Sequence, residues 1–373
     1  MRSLSIRRLS IRSLRAYVSL TAFVALLTIL SSCDVHQFPE PKPVNPTPGP
    51  DLPEETTMVP LDLVYYPQLY VWEHEYNPLS GKIREMYPDS RIYPDYPGTT
   101  DRYDNTQLVG VMDVHVKVFL ASNASRLVKE EEFTFELNGS AYDTSLQIEL
   151  PVDTEYSLHV WAHLRDSHEA LAFYDPADFN KVMLIGDNYK GNTDYRDGFS
   201  GTINVDTKNE EQQPKVVPMT RPMGKFELVT IDLSEFLDRE TTRRSLATRA
   251  TADEYHVVIS FPYYFPSSYS VIDDRLENAA SGVSFITKMT VTGDSDASLG
   301  FEYVMLNDDK DGAVQVRVDI YDPSFTHVAG STTLSIPMKR DCHTVLRGAF
   351  LSEQNEGGVG IDPGFNGDHN IIP

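Results

Sequence analysis

Cysteine is nearly absent from this chain: there are two in 373 residues, Cys33 and Cys342. Two thiols cannot build a disulfide-dense scaffold or a zinc site of paired cysteines. Cationic side chains are also in deficit, 32 Lys and Arg against 55 Asp and Glu, for a formal net charge of −23. Phosphate neutralisation needs the opposite balance, so nucleic acid is excluded as a partner class, and attraction to anionic lipid surfaces with it. No Gly-rich phosphate loop, nucleophile elbow or His-Glu metal helix occurs. The expectation is a non-enzyme with no catalytic residues, no cofactor and no metal. Long apolar runs are missing too. An uncharged apolar stretch near the start, 16–30, is shorter than the roughly 20 residues a bilayer-spanning helix needs.

What is present begins with that stretch. Arg2, Arg7, Arg8, Arg12 and Arg15 precede it, and no acid appears before Asp34. A basic head, a short apolar run and a small-residue exit form an export signal. Leu30-Ser31-Ser32-Cys33 resembles the lipobox of bacterial lipoproteins. That resemblance implies cleavage between Ser32 and Cys33 and acylation of the Cys33 sulfur; the bland alternative is a plain signal peptide with an incidental cysteine. Each buried methylene contributes about 0.8 kcal/mol, so several acyl chains together give stable attachment where one does not. Seven of the fifteen residues at 39–53 are proline. Such a segment favours polyproline geometry at about 3.1 Å per residue, a stiff tether on the order of 45 Å. Removing 1–32 takes away five arginines and no acids, leaving 27 bases against 55 acids, a net charge of −28. With Cys33 acylated, Cys342 has no disulfide partner.

Beyond the tether, period-two alternation dominates. Met112, Val114, Val116, Val118 and Leu120 alternate with polar residues, as do Tyr156, Leu158, Val160, Ala162 and Leu164, and Val314, Val316, Val318 and Ile320. One apolar and one polar face is the pattern of antiparallel strands in a sandwich. Further strands are expected at 225–233, 256–264, 283–292, 301–306, 331–338 and 344–351. Asn138-Gly139, between alternating runs at 133–137 and 146–150, predicts a hairpin. Helix is expected at 234–244, opened by Ser234 and Glu235, and a helical turn or two at 175–183. A boundary between two halves is expected near 214–222, where a charged segment, 208–213, gives way to the steps Pro218-Met219 and Pro222-Met223.

Three constellations invite chemistry and fall short of it. His159 and His163 would lie roughly 13 Å apart on a strand, too far to share an ion, so with His168 they read as a polar face. NDDKDG at 307–312 matches the first half of a calcium loop, but the acid expected at the twelfth position is Val318; an acidic turn is the reading. Cys342 and His343 would point to opposite faces of a strand and cannot act as a nucleophile pair. The Tyr263-Tyr264-Phe265-Pro266 stretch, with Trp72 and Trp161, gives a second functional reading, a surface glycan-binding lipoprotein.

Several segments together resemble the fimbrillin-type lipoproteins of Bacteroidetes, particularly FimB-like minor or anchor subunits: ELPVDTEYSLHVWA (149–162), NTDYRDGFSG (192–201), RPMGKF (221–226) and GGVGIDPGFNGD (357–368). The resemblance implies an all-β chain of two tandem transthyretin-like, Greek-key sandwiches. The corresponding organisation is a signal peptide (1–32), a lipidated cysteine and Pro-rich tether (33–57), a first sandwich (58–220) and a second (221–373). It implies a lipid-anchored subunit on the cell outer membrane whose partners are other fimbrial subunits, joined by donor-strand exchange, in which a strand from one subunit fills a groove in another. Candidate exchange strands are 61–72 and 359–373. In such families stalk subunits lose lipid and first strand to an arginine-directed protease, whereas anchors keep both. Arg84, Arg91 and Arg102 are the candidate cleavage points, in what reads as a loop, and a processed stalk subunit is the alternative to an anchor.

Overall fold

Alternation of apolar and polar residues along most of the chain becomes strand in the computed structural model, which describes residues 52–86, 103–104, 106–139, 144–166, 172–185, 189–208, 213–307 and 312–352. The chain is all-β, and among the described residues there is one α-helix, Leu233–Arg243. The described residues belong to one compact unit that contains two apolar cores.

The first core lies between a three-stranded and a four-stranded sheet. In the smaller sheet Thr56–Tyr65 runs between Lys215–Met219 and Ser145–Pro151. The larger orders Gly198–Asp206, Glu155–Arg165, Val109–Leu120 and Asn123–Asn138. The alternating residues 112–120 and 156–164 all point into this core as their period requires.

The second core lies beneath a six-stranded sheet ordered Thr290–Val291, Ala297–Met305, Met223–Thr230, Cys342–Gly348, Tyr70–Asn77, Lys82–Glu85. Against it pack a sheet built on His256–Ser260 and Gly312–Tyr321, the helix, and a small sheet built on Tyr264–Ser270 and Arg275–Ser281. The helix covers the core with Leu233, Phe236 and Leu237. Its first residue is Leu233 rather than a Ser234 cap. Asp232 precedes it and accepts hydrogen bonds from Leu351 N at 3.3 Å and Ser352 Oγ at 2.6 Å instead of capping the helix.

Two local expectations fail for one reason: periodicity does not name the partner. Asn138-Gly139 does not close a hairpin. Asn123–Asn138 pairs with Val109–Leu120, whereas Ser145–Pro151 pairs with Thr56–Tyr65 in the other sheet. Gly139 does take the positive φ that the turn signal implied, +79°, but the chain crosses between sheets there. The stretch 175–183 is not helical. Tyr174–Asp175 pairs with Val182–Leu184, which also joins Tyr264–Ser270, and between them Asp178 Oδ1 accepts from Asn180 N at 2.9 Å.

That small hairpin explains how the cores meet. Glu155–Arg165 sends Leu158 and Val160 into the first core, and its opposite face carries Trp161 into the second. Tyr174 packs edge-on against Trp161 with ring centroids 5.4 Å apart. A strand covered on both faces behaves as a shared wall.

Candidate assembly site: the slot of the first strand

The strand nearest the tether is the natural place to look for assembly chemistry. Thr56–Tyr65 alternates strictly, and Val59, Leu61, Leu63 and Tyr65 are all buried. At ~1.5–3 kcal/mol for each large apolar side chain buried, these four supply roughly 6–12 kcal/mol of gross driving force for docking this strand. It is central in its sheet: Leu61 stands opposite Leu146 on the antiparallel side and Lys215 on the parallel side. Strand 56–65 therefore fills a slot whose walls are 145–151 and 215–219. The floor is the four-stranded sheet, where Phe199 meets Tyr65 edge-on at 5.1 Å. Gly201 lets this sheet close over 217–219, since a Cβ there would stand 2.7 Å from the Met219 sulfur. Burial raises the pKa of the Tyr65 phenol, with Thr144 beside it working the other way.

The exit of the slot is bolted. Arg221 is buried and donates to Asp197 through Nε (2.6 Å) and Nη2 (2.8 Å), to Asp341 through Nη1 (3.0 Å), and to the Pro67 carbonyl through Nη2 (3.0 Å). Burial opposes its charge, but the Asp197 carboxylate outweighs burial and the guanidinium pKa is raised. Two residues on, Leu69 N donates to Asp104 Oδ1 at 2.9 Å, and Asp104 Oδ2 lies 3.2 Å from His343 Nδ1. Burial pushes the Asp104 carboxyl up, and the bonds from His343, Leu69 and Thr106 more than reverse this, bringing it down to about 2. His343 Nε2 in turn lies 3.2 Å from Glu227. The short link 66–69 between strand 56–65 and strand 70–77 is thus held at Pro67 and at Leu69 by charged side chains of the second sandwich-like body and its border. Nearby, Arg196 and Glu302 form a second buried pair at 2.7 Å, and Lys225 meets Asp194 at 2.8 Å.

Along the free edge of 145–151 a cleft of about 430 Å³ opens between Ser145, Leu146 and Gln147 on one side and Phe133, Thr134 and Phe135 on the other. At its end Lys129 Nζ donates to the Glu149 carbonyl at 2.8 Å, which blunts that part of the edge against further pairing.

The residues singled out by sequence are distributed as follows. Ser32, Cys33, the tether up to residue 51, Arg91, Arg102, His168, Asp309, Asp311 and the stretch 359–373 lie outside the described residues, and the tether's expected last residues, 56–57, already belong to strand 56–65. The candidate exchange strand 61–72 is not one strand: its first part ends at Tyr65 in the slot and its last part begins at Tyr70 in the other sheet. Arg84 lies not in a loop but in Lys82–Glu85, exposed and 2.6 Å from Glu75 across a hairpin. His159 and His163 do not form a solvated face. Both are buried, His159 between Ser157 (3.2 Å) and Thr202 (3.1 Å), His163 stacked on His115 with centroids 5.7 Å apart. Among the described residues no group of three or more His, Cys, Asp or Glu is placed to hold a metal ion. Asn307 binds Leu276 N at 2.8 Å, and Val318 is buried in its strand. Trp161 is fully buried and Trp72 donates to Glu85 at 2.8 Å beneath Lys339, so neither offers a sugar platform; Tyr263 and Tyr264 are exposed. The Asp104–His343–Glu227 bridge, spanning 239 residues, carried no local signal.

Distant likenesses to solved structures include the fimbrial anchor protein Mfa2 of Porphyromonas gingivalis (11% identity, 73% of this chain and 82% of that one, TM-score 0.33). Others are a candidate cell adhesion protein of Bacteroides eggerthii (11%, 87% and 94%, 0.39) and a candidate polysaccharide-binding protein of Bacteroides thetaiotaomicron (14%, 60% and 72%, 0.35). No curated protein matches. The model of one family of unknown function, DUF6562, matches residues 104–372, and the chain belongs to that family.

Proposed function

We propose that this chain is a lipid-anchored subunit on the outer membrane surface, acting as an anchor or accessory subunit of a fimbria and joined to other subunits by β-strand addition. Its contribution is mechanical rather than catalytic. The observation that carries this reading is the seating of strand 56–65. It follows directly on the Pro-rich tether, fills the centre of its sheet with four buried side chains, and is bolted at its exit by Arg221. Tension on acylated Cys33 would act along a strand paired with 145–151 through 56–62 and with 215–219 through 61–65, so that it must leave two partners to come free, and a tether needs that resistance. An edge strand would peel.

The test is the mature protein from outer membranes, its N-terminus read by mass spectrometry. An acylated Cys33 as the first residue, and release into the soluble fraction on Cys33→Ala, are expected. An unlipidated N-terminus just after Arg84, Arg91 or Arg102 would instead make the chain a processed stalk subunit. Firm membrane retention of Cys33→Ala would overturn the anchor.

A further inference from the structure

On the sheet built from His256–Ser260, Ser284–Lys288, Gly312–Tyr321 and His327–Gly330, register places Lys288, His256, Tyr321 and His327 in one row across the outward face. Phe325, at the tip of the turn before His327, folds over this row and stacks on His256, with centroids 4.4 Å apart and planes 18° from parallel. Two features of Phe325 do not suit a mere packing residue. Its ring is 54% exposed, and its φ of +58° lies in the left-handed region that a bulky side chain rarely adopts. Strain of order 1–3 kcal/mol persists only where the surroundings fix it. Here Asp322 does so, its carboxylate accepting from Ser324 N (2.9 Å) and Thr326 N (3.0 Å) while its carbonyl accepts from Phe325 N (2.8 Å). An exposed aromatic is being presented by a rigid turn.

Beside the ring lie hydrogen-bonding groups already in place. Asp319 accepts from Arg317 at 2.8 Å and lies 3.1 Å from His327 Nε2. Its carboxylate lies over Gly330, where a Cβ would stand 3.0 Å from Oδ1, so the absence of a side chain there makes room for it. Lys288 is exposed. On a chain of net charge −23, Asp319 is paired with Arg317 and the turn's Asp322 with Arg243, which leaves the exposed Lys288 as the cation of this row with no carboxylate bonded to it among the described residues.

We propose that this face binds an anionic glycan, specifically a pyranose carrying a carboxylate. The flat C–H face of the sugar would stack on Phe325, a hydroxyl would meet the exposed His327, which the buried Asp319 holds in place, and its carboxylate would meet Lys288. An aromatic plane flanked by a fixed polar group is what a pyranose requires, and the exposed Lys288 selects the acidic sugar over the neutral one.

The experiment is calorimetric titration of the full chain with uronate oligomers of three linkages (oligogalacturonate, alginate and hyaluronan) and with a neutral galactan of matched length. Saturable binding to at least one uronate, at least tenfold weaker for the galactan, is expected. Phe325→Gly should weaken it at least tenfold while leaving the thermal midpoint unchanged or raised, because glycine takes positive φ without strain. Lys288→Gln should weaken it in a correctly folded protein, and Tyr263→Ala should not. Silence toward all three uronates, or equal affinity for galactan, overturns the proposal. So does a lowered midpoint for Phe325→Gly with normal binding by Lys288→Gln, which would make the ring a packing element. Self-association lost on Phe325→Gly without glycan binding would make the face a contact between copies and equally overturn it.

Discussion

Strands 56–65 and 70–77 are separated by only four residues, yet they enter different bodies by different physics. The first inserts Val59, Leu61, Leu63 and Tyr65 into a closed core, between two partners. The second runs parallel to Cys342–Gly348 and carries Glu73, His74 and Glu75 in its middle, with most of its residues only partly buried. Apart from Tyr76, which is buried and stacked on Phe350, it is held by polar contacts: Trp72 to Glu85, and the His343 bridge on the neighbouring strand. Apolar burial is indifferent to pH, whereas charged fastenings are not. One chain segment thus makes a permanent attachment and a conditional one, with Arg221 and Asp104 holding the link between them.

The largest break in that comparison is Leu61→Asp. A carboxylate at a position with no exposure costs more than about 4 kcal/mol, of which Lys215, opposite it on the parallel side, offsets only a part, and the remainder is enough to unfold a marginal body. Chemical denaturation should show the first sandwich-like body lost, with amide exchange across 56–65 and 145–151 rising together. The second strand already tolerates two glutamates at its centre. Were Leu61→Asp to fold normally, the slot would not be the seat described here.

Arg221→Ala comes next. It leaves Asp197 buried and unpaired, and removing one partner of a buried pair costs about 3–5 kcal/mol. Replacing both members, Arg221→Met with Asp197→Leu, should cost less than Arg221→Ala alone, since the penalty is the orphaned charge rather than the lost bond. Equal costs in the unfolding midpoint would show that the hold on the Pro67 carbonyl, not the ion pair, is what matters.

Much of the fold could be read from residue order. Alternation located the strands at 112–120, 156–164 and 314–320, and the helix fell within a residue of its expected span, because these signals are local. Pairing is not local. Nothing in Asn138-Gly139 says that the next strand belongs to the opposite sheet, and the true hairpin at Ala121-Ser122 contains neither Gly nor Pro. His159 and His163 read as a polar face because the hairpin 174–184 that roofs this side of the strand comes later in the chain and joins the second core. The candidate site was half legible. Strand 56–65 was legible only through the candidate exchange strand 61–72 beside the tether, and two of the segments that carry the resemblance, 192–201 and 221–226, are joined in the structure through Asp197 and Arg221. Asp104 and His343, 239 residues apart, meet only after both bodies are built.

The smallest effect separates the two strands by pH. Burial lowers the His343 pKa, but the hydrogen bonds it donates to Asp104 and Glu227 outweigh that, with Lys225 opposing them, and the net direction is upward. A histidine whose folded pKa lies above its unfolded value of about 6.5 adds stability that is complete below that value and is lost as pH rises through the folded pKa. The two carboxylates are shifted downward, so they remain charged throughout this range. Raising the pH should therefore loosen Cys342–Gly348 and its neighbour 70–77 while leaving 56–65 as it was. Hydrogen exchange, corrected for the intrinsic rate at each pH, should show protection falling across 70–77 relative to 56–65. His343→Gln should flatten that trend, because the amide keeps a hydrogen-bonding side chain but cannot titrate. A parallel fall in both strands would mean that the fastening at 66–69 couples them, and that the attachment called conditional here governs the permanent one as well.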